Sequence, residues 1–194
     1  LKKSGKFIFT SHHDTNRNLE YTLRRIGTPF KFSQGFHPIP IFSFSQPIPL
    51  GFIHRELYIA VDTTEEFDFS QFNNHSPEGF ALLESKLVDD NFIIAKALEY
   101  YHFRVYLDEN KFQTFLQTKT IQKGKSEIDR NELFLGIKAS NNKKGIFMIE
   151  YYQEADKMYN IIKIFEKNKS NGFFYAFCDK VSWRDNSEKD ISSR

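Results

Sequence analysis

The run Ser11–His12–His13–Asp14 holds the side chains best suited to chemistry in this chain. Imidazole and carboxylate are ligands for zinc or iron, so His12 and Asp14, with His37 brought near by a loop, are candidate metal ligands. No spacing supplies a third ligand, and the expectation is that no metal is bound. The same histidines suit general acid–base work. With an Arg or Lys nearby, His12 and His37 could cleave RNA without metal, one taking the 2′-hydroxyl proton and the other protonating the leaving oxygen. The plainer alternative is that Ser11 and Asp14 cap a helix while His12 packs or bonds backbone. Arg17, Arg24, Arg25 and Lys31 follow as candidate phosphate contacts, and Ser33, Gln34, Gly35, Phe36 and Ser43 as candidate binding residues. Phe36, Phe42 and Phe44 could stack bases; alternation makes Phe42 and Phe44 core candidates, while Phe36 stays open. A turn at Gln34–Gly35–Phe36 could cradle an anion. Ser33, Ser43 and Ser45 lack the context of a nucleophile.

The elements that must position these groups follow from pattern. KFIFTS (6–11) reads as a short strand with Phe7 and Phe9 on one face and Ile8 on the other. A helix is expected from about Asp14 to Ile26, burying Leu19, Leu23 and Ile26 and exposing Arg17, Tyr21 and Arg24. Gly27 and Pro29 end it. Residues 29–51, PFKFSQGFHPIPIFSFSQPIPLG, hold five of the six prolines and five phenylalanines. Proline fixes φ and removes a donor, so this stretch should be a stiff ribbon rather than a central strand. Strands are expected at 56–61 and 79–88, with a short helix at 65–72.

The second half repeats the order. A strand at 102–107 leads to a helix capped by Asp108 and running to about Thr118. A hairpin of 132–139 and 145–152 turns at SNNKKG. A helix at 155–168 faces Met158, Ile161, Ile162 and Phe165 inward, and a strand at 173–183 closes the series. Lys123–Gly124–Lys125 reads as a basic turn, Cys178 as a buried core residue, and Trp183 as an anchor or partner contact. The expected fold is α+β, two tandem ferredoxin-like β-α-β-β-α-β units. Residues 1–90 form the first and 101–184 the second, joined near 89–101, with a polar, disordered tail at 185–194.

Composition narrows the function class. The chain has 194 residues, 40% hydrophobic and 27% charged, with 22 phenylalanines, as expected of a soluble globular protein. One cysteine excludes an internal disulfide or a cysteine-based cluster, which fits a reducing cytoplasm. No membrane partner is expected, since no run approaches a membrane span. Leu1 in place of Met fits either a piece of a longer polypeptide or an alternative start codon. Residues 1–55 carry net +6, 56–100 net −8 and 101–194 net +4. A basic front suggests an anionic partner, although such blocks also serve to solvate two faces.

Three patches resemble one family: GKFIFTSHHDTNRNLEYTLRRIGTPFKFSQGFHPIPIFSFSQPIPLG, HRELYIAVD and IQKGKSEID. They look like the radical SAM-linked protein family, a domain of unknown function beside or fused behind radical SAM proteins that often carry a cobalamin-binding domain. Ser11, His12 and Asp14 match its first motif, and Arg24, Arg25, Gly27 and Pro29 its helix end. Ser33, Gln34, Gly35, Phe36, Pro38, Pro40, Ser43, Phe44, Pro47, Pro49, Leu50 and Gly51 match its ribbon, and Glu56 and Tyr58 the next strand. His37 and Ile39 depart from the usual Asn and His. The resemblance is strong over 5–62 and weak but collinear beyond. It implies an accessory or substrate-binding module with no cofactor of its own and no activity alone. The partner would be a radical SAM protein bearing an iron–sulfur cluster and S-adenosylmethionine, with RNA a further candidate ligand. An RNA-processing enzyme using His12 and His37, and a purely structural interaction domain, are the alternatives.

Overall fold

The structure is a computed structural model that describes residues 1–90, 92–142, 145–170 and 172–184. The expected disorder of 185–194, and residues 143 and 144 of the expected hairpin turn, lie outside the described residues. The fold is mixed α+β. Backbone packing divides it into unit 1, Leu1–Leu98 with Trp183–Arg194, and unit 2, Glu99–Ser182.

Unit 1 is built from short pieces. β1 (Lys2–Lys3) precedes a 3-10 turn (Gly5–Phe9) and helix α1 (His12–Arg25). β2 (Phe42–Phe44), β3 (Phe52–His54), β4 (Ile59–Val61), α2 (Phe72–His75), β5 (Phe80–Ala81) and α3 (Ile94–Ala97) follow. Within the unit β1 lies between β5 and β3, antiparallel to both, with Lys3 opposite His54 on one side and Phe80 on the other. β2 and β4 form a separate antiparallel pair. The core gathers Phe7, Leu19, Leu23, Phe30, Leu57, Phe72 and Phe80, with Phe42 and Phe44 packed against it. Leu19 and Leu23 thus face inward from α1 as their spacing requires.

Four expected elements of unit 1 differ, the 56–61 strand only in starting at Ile59. The 6–11 segment is not a strand: Phe7 and Ile8 are both buried while Phe9 is exposed, which strict alternation forbids. Gly5, at φ +56°, starts the turn, and the Thr10 hydroxyl and N–H both donate to the Phe7 carbonyl. The 65–72 helix does not form, because Asp68 accepts from the N–H and the hydroxyl of Ser70, a local turn that competes with helix. Helix begins only at Phe72. The 79–88 strand stops at Ala81, where the Asn73 side chain brackets Leu82, accepting from its N–H at 2.7 Å and donating to its carbonyl at 3.0 Å.

Unit 2 is built from long pieces. β6 (Leu98–Asp108) leads to α4 (Glu109–Gln117), whose N-cap Asp108 accepts from the Lys111 N–H at 2.9 Å. A small hairpin, β7 (Thr120–Lys123) and β8 (Ser126–Asp129), turns at Gly124, whose φ is +66°, and precedes α5 (Arg130–Leu133). β9 (Leu135–Asn142), β10 (Ile146–Glu154), α6 (Ile162–Lys167) and β11 (Phe174–Trp183) complete it. The strand order is β11-β6-β10-β9, and β10 is antiparallel to both β6 and β9.

Here the differences are the β7–β8 hairpin and α5, which are not among the expected elements, and the ends of other elements. β9 starts at Leu135 rather than 132, because Asp129 accepts from the Asn131 N–H and holds α5. The helix expected at 155–168 shrinks to Ile162–Lys167, with Asn160 accepting from the Ile162 N–H at its start. Its buried residues are Ile164 and Phe165, with Ile161 just before, so Ile164 takes the inward place expected of Ile162.

Candidate functional site

The first turn of α1 uses its polar groups on itself. The Asp14 N–H donates to the Ser11 Oγ at 3.0 Å, and the Ser11 hydroxyl donates to Asp14 Oδ2 at 2.7 Å. This is a helix cap that satisfies an otherwise unpaired N–H. His13 is exposed, with Nδ1 4.0 Å from Asp14 Oδ1. His12 sits with Nε2 3.2 Å from Asn16 Nδ2 and its ring edge-on to Phe44 at 5.5 Å between centroids. Burial, followed by the charges of Lys3 and His13, lowers its pKa below the ordinary histidine value. The neutral imidazole is thus the favoured form.

Lys3 is the group that sequence reasoning missed. It is buried beneath the start of α1, donating from Nζ to the Thr10 carbonyl at 2.7 Å and the Thr15 Oγ1 at 3.1 Å. Burial lowers its pKa, and the Asp14 carboxylate partly offsets this. Nothing in LKKSGK distinguishes Lys3 from its neighbours; only the pairing of β1 turns it inward. His54, its partner across β3, is also buried, with Nε2 unpaired. Burial and then neighbouring positive charge, Lys3 included, push its pKa down to about 3.

Along the exposed face of α1, Arg17 Nε donates to the Tyr21 hydroxyl at 2.9 Å and its guanidinium lies over that ring. Arg24 pairs with Glu20 at 2.8 Å and lies over Phe30 at 5.6 Å. Arg25 makes a long bond to the His75 carbonyl at 3.4 Å. His13, Arg17, Glu20, Tyr21 and Phe42 line a shallow groove of about 370 Å³. This brings the helix face and the base of the ribbon together.

The flanks of the ribbon are held by backbone bonds, the Lys31 N–H donating to the Asp62 carbonyl and the Ile41 N–H to the Lys31 carbonyl. Single bridges join Phe30 to Thr63 and Phe32 to Pro40. The Ser33 N–H donates to the Ile39 carbonyl at 2.9 Å, and the Ile39 N–H donates to Ser33 Oγ at 3.1 Å. The bend between them contains Gln34, Gly35 at φ +141°, Phe36 and His37, all exposed. Phe36 is fully exposed, and Phe32 (44%), Ile39 (64%) and Ile41 (38%) extend the apolar surface. Phe42 and Phe44 instead pack on the core, as alternation suggested, and Ser43 on β2 pairs with Ala60. Ser11, His12 and Asp14 are thus grouped at the ribbon base, while His37 shares no hydrogen bond with them among the described residues. Nor do the described residues place three His, Cys, Asp or Glu side chains together to hold a metal ion.

Residues 1–173 match the family described as "Uncharacterized protein conserved in bacteria (DUF2344)". The chain belongs to that family. The DUF2344 match includes the α1 cap, the arginine face, the ribbon and most of unit 2. No curated protein matches the sequence. In this DUF2344 chain no helix among the described residues is long and apolar enough to cross a membrane.

Proposed function

We propose that the chain is an accessory binding module that docks a radical SAM enzyme through the ribbon and the adjoining face of α1. The observation that carries this reading is the ribbon's bend, where fully exposed Phe36 is flanked by Phe32, Ile39 and Ile41. An exposed apolar cluster of this kind is characteristic of a protein-binding surface. The prolines shape the segment before binding, so less ordering entropy opposes docking. Burying Phe36 alone would contribute about 1.5–3 kcal/mol. The partner's identity rests on the resemblance to the radical SAM-linked family; the iron–sulfur cluster and S-adenosylmethionine would belong to that partner.

The fold supports a finer reading too. We read unit 2 as ferredoxin-like, since β11-β6-β10-β9 is the order in which a split β-α-β-β-α-β unit arranges its four strands. Unit 1 would be a reduced version, with β5-β1-β3 retained and the ribbon in place of a regular second strand. The setting would be the cytoplasm.

The test is biolayer interferometry against a cobalamin-binding radical SAM protein encoded beside a family member. Wild type should bind, and Phe36→Ser/Ile39→Ser should weaken binding at least tenfold while the thermal melt is unchanged. No wild-type binding, or equal binding by the variant, would sink the proposal.

RNA is a second reading, favoured by the line of Arg17, Arg24 and Arg25 on one exposed helix face. Fluorescence anisotropy with a single-stranded RNA at two salt concentrations separates it. Binding that weakens with salt and falls in Arg17→Ala/Arg24→Ala would place phosphates on α1. Cleavage of that RNA, lost in His12→Ala, would then favour the endoribonuclease alternative with His12 and His37.

A further inference from the structure

Unit 1 carries a second surface, away from the ribbon's exposed bend and the α1 arginines. A groove of about 840 Å³ runs between β4 with the chain leaving it and the segment 82–90. Its lining includes Leu19, Leu23, Leu57, Ile59, Val61 and Phe72, all apolar. Its charge is one-sided. Asp62, Glu65 and Glu66 come from the chain after β4, Glu84, Asp89 and Asp90 from the 82–90 segment, and Glu56 from the chain before β4. The two lysines of the lining are already engaged, Lys31 with Asp90 at 3.7 Å and Lys86 with Glu84 at 3.3 Å.

Backbone groups in the groove are open as well. The Ser45 N–H donates to the Tyr58 carbonyl and the Asp62 N–H to the Ile41 carbonyl, which sets the hydrogen-bonded positions of the β2–β4 pair. Ile59 and Val61 alternate with those positions, so their N–H and C=O groups point away from β2. Leu57, in the same phase, donates to the Leu1 carbonyl at 2.7 Å, and among the described residues no backbone partner continues that edge past Ile59 and Val61. Residues 83–88 make no backbone hydrogen bond among the described residues either, and Leu83 and Leu87 are exposed. Unpaired strand edges invite a further strand, and buried backbone groups need partners.

We propose that this groove receives an extended, basic peptide segment of a partner protein, added as a strand on the open edge of β4. Main-chain bonds to Ile59 and Val61 would set its register, since strand addition draws affinity from the backbone and specificity from alternate side chains. Apolar residues at every second position would face the groove floor. Lysines or arginines between them would meet the carboxylates of both rims. The acidic rim disfavours nucleic acid at this surface, so this site is separate from the ribbon's bend and from the RNA reading.

The experiment is selection of a random octapeptide phage library on the immobilised chain, followed by titration of the enriched peptide in fluorescence anisotropy. The expected winners alternate apolar residues with Lys or Arg. Their affinity should fall at least tenfold in Glu65→Lys/Glu66→Lys, surface changes that leave the core untouched. N-methylation of the peptide backbone at alternate residues should abolish binding in one phase and spare it in the other, because only one edge would pair with β4. This second readout needs no variant protein. Absence of any enriched peptide, winners without basic residues, affinity indifferent to Glu65→Lys/Glu66→Lys, or equal tolerance of N-methylation in both phases would each overturn the proposal.

Discussion

Unit 1 and unit 2 divide the labour of structure differently. No strand of unit 1 exceeds three residues among the described residues, whereas the four strands of the unit 2 sheet have eight to eleven. In unit 2 the backbone is satisfied largely by strand pairing, and aromatic rings fill the space beneath, as where Phe115 meets Phe134 edge-on at 5.6 Å. In unit 1 prolines and side-chain bonds to backbone replace ladders, and large apolar groups remain in solvent. Polar groups are buried in both units, Lys3 and His54 in unit 1 and Lys111 and Gln153 in unit 2. A region that leaves a phenylalanine such as Phe36 fully in water is poorly optimised for stability alone. That contrast is the reason the proposed binding surfaces are assigned to unit 1, with unit 2 as their scaffold.

The contrast breaks first if the unit 2 core is not the stronger. Phe115 is fully buried, with the Arg130 guanidinium over its ring at 4.8 Å. Phe115→Ala should cost about 3–5 kcal/mol in denaturant unfolding, the range for deleting a buried aromatic. A loss below about 1 kcal/mol would show that this packing does not hold the unit.

Next come two glycines. A Cβ on Gly172, at φ +128°, would lie 1.7 Å from Asp108 Oδ2, the carboxylate that caps α4. Gly172→Ala should combine backbone strain with a disturbed cap, about 2–3 kcal/mol in all. A Cβ on Gly35 meets nothing within 4 Å, so Gly35→Ala carries only the cost of its φ of +141°, about 1 kcal/mol. Thermal melts of the two variants should rank in that order, and a reversed ranking would mean the ribbon is the tighter structure.

A smaller effect appears with pH. His54 has a folded pKa of about 3, because burial and nearby positive charge oppose its protonation. Below pH 6.5 the unfolded chain takes up a proton there that the folded chain refuses. Stability is therefore full above that pH and declines as pH falls toward 3. From about pH 7 to about pH 5 the loss from this one residue is about 2 kcal/mol. His12 and His102, both lowered chiefly by burial, act in the same direction. Urea titrations at the two pH values should show His54→Leu losing distinctly less stability on acidification than wild type. Parallel losses would remove His54 as the acid-sensitive group.

How far the sequence could be read followed the same division. Unit 2 was legible because long alternating runs such as HFRVYL and a clear cap at Asp108 agree with the tertiary pairing. Its misreadings were the unexpected β7–β8 hairpin and the element ends near it and near α6, where Asp129 and Asn160 cap short helices that hydrophobic pattern does not mark. In unit 1 the amphipathic helix and its cap were legible from Ser11, Asp14, Leu19 and Leu23. KFIFTS was not, because Gly5 imposes a turn before alternation can act, and Asp68 and Asn73 divert backbone that would otherwise be helix and strand. The His12 neighbourhood was visible as residue types, yet Lys3 joins it only through β1, a pairing that two residues cannot announce. The acidic block at 56–100 was visible as charge. That much of it rims an apolar groove depends on where residues 82–90 run after leaving the sheet.

The smallest expected effect on stability is the most telling for function. Phe36 is fully exposed, makes no ring contact among the described residues, and follows a glycine in a bend closed by Ser33 and Ile39. Phe36→Ser removes no buried area and opens no cavity, so its unfolding free energy should match wild type within about 0.5 kcal/mol. A ring left in water does not stabilise the isolated chain. If it is kept for a partner, its removal should appear in binding alone. Measured together, an unchanged melt and a weakened complex would assign the ribbon to recognition. A melt lowered by several degrees would mean that Phe36 folds back onto the core in solution, and the contrast between a binding unit and a scaffold unit would lose its strongest residue.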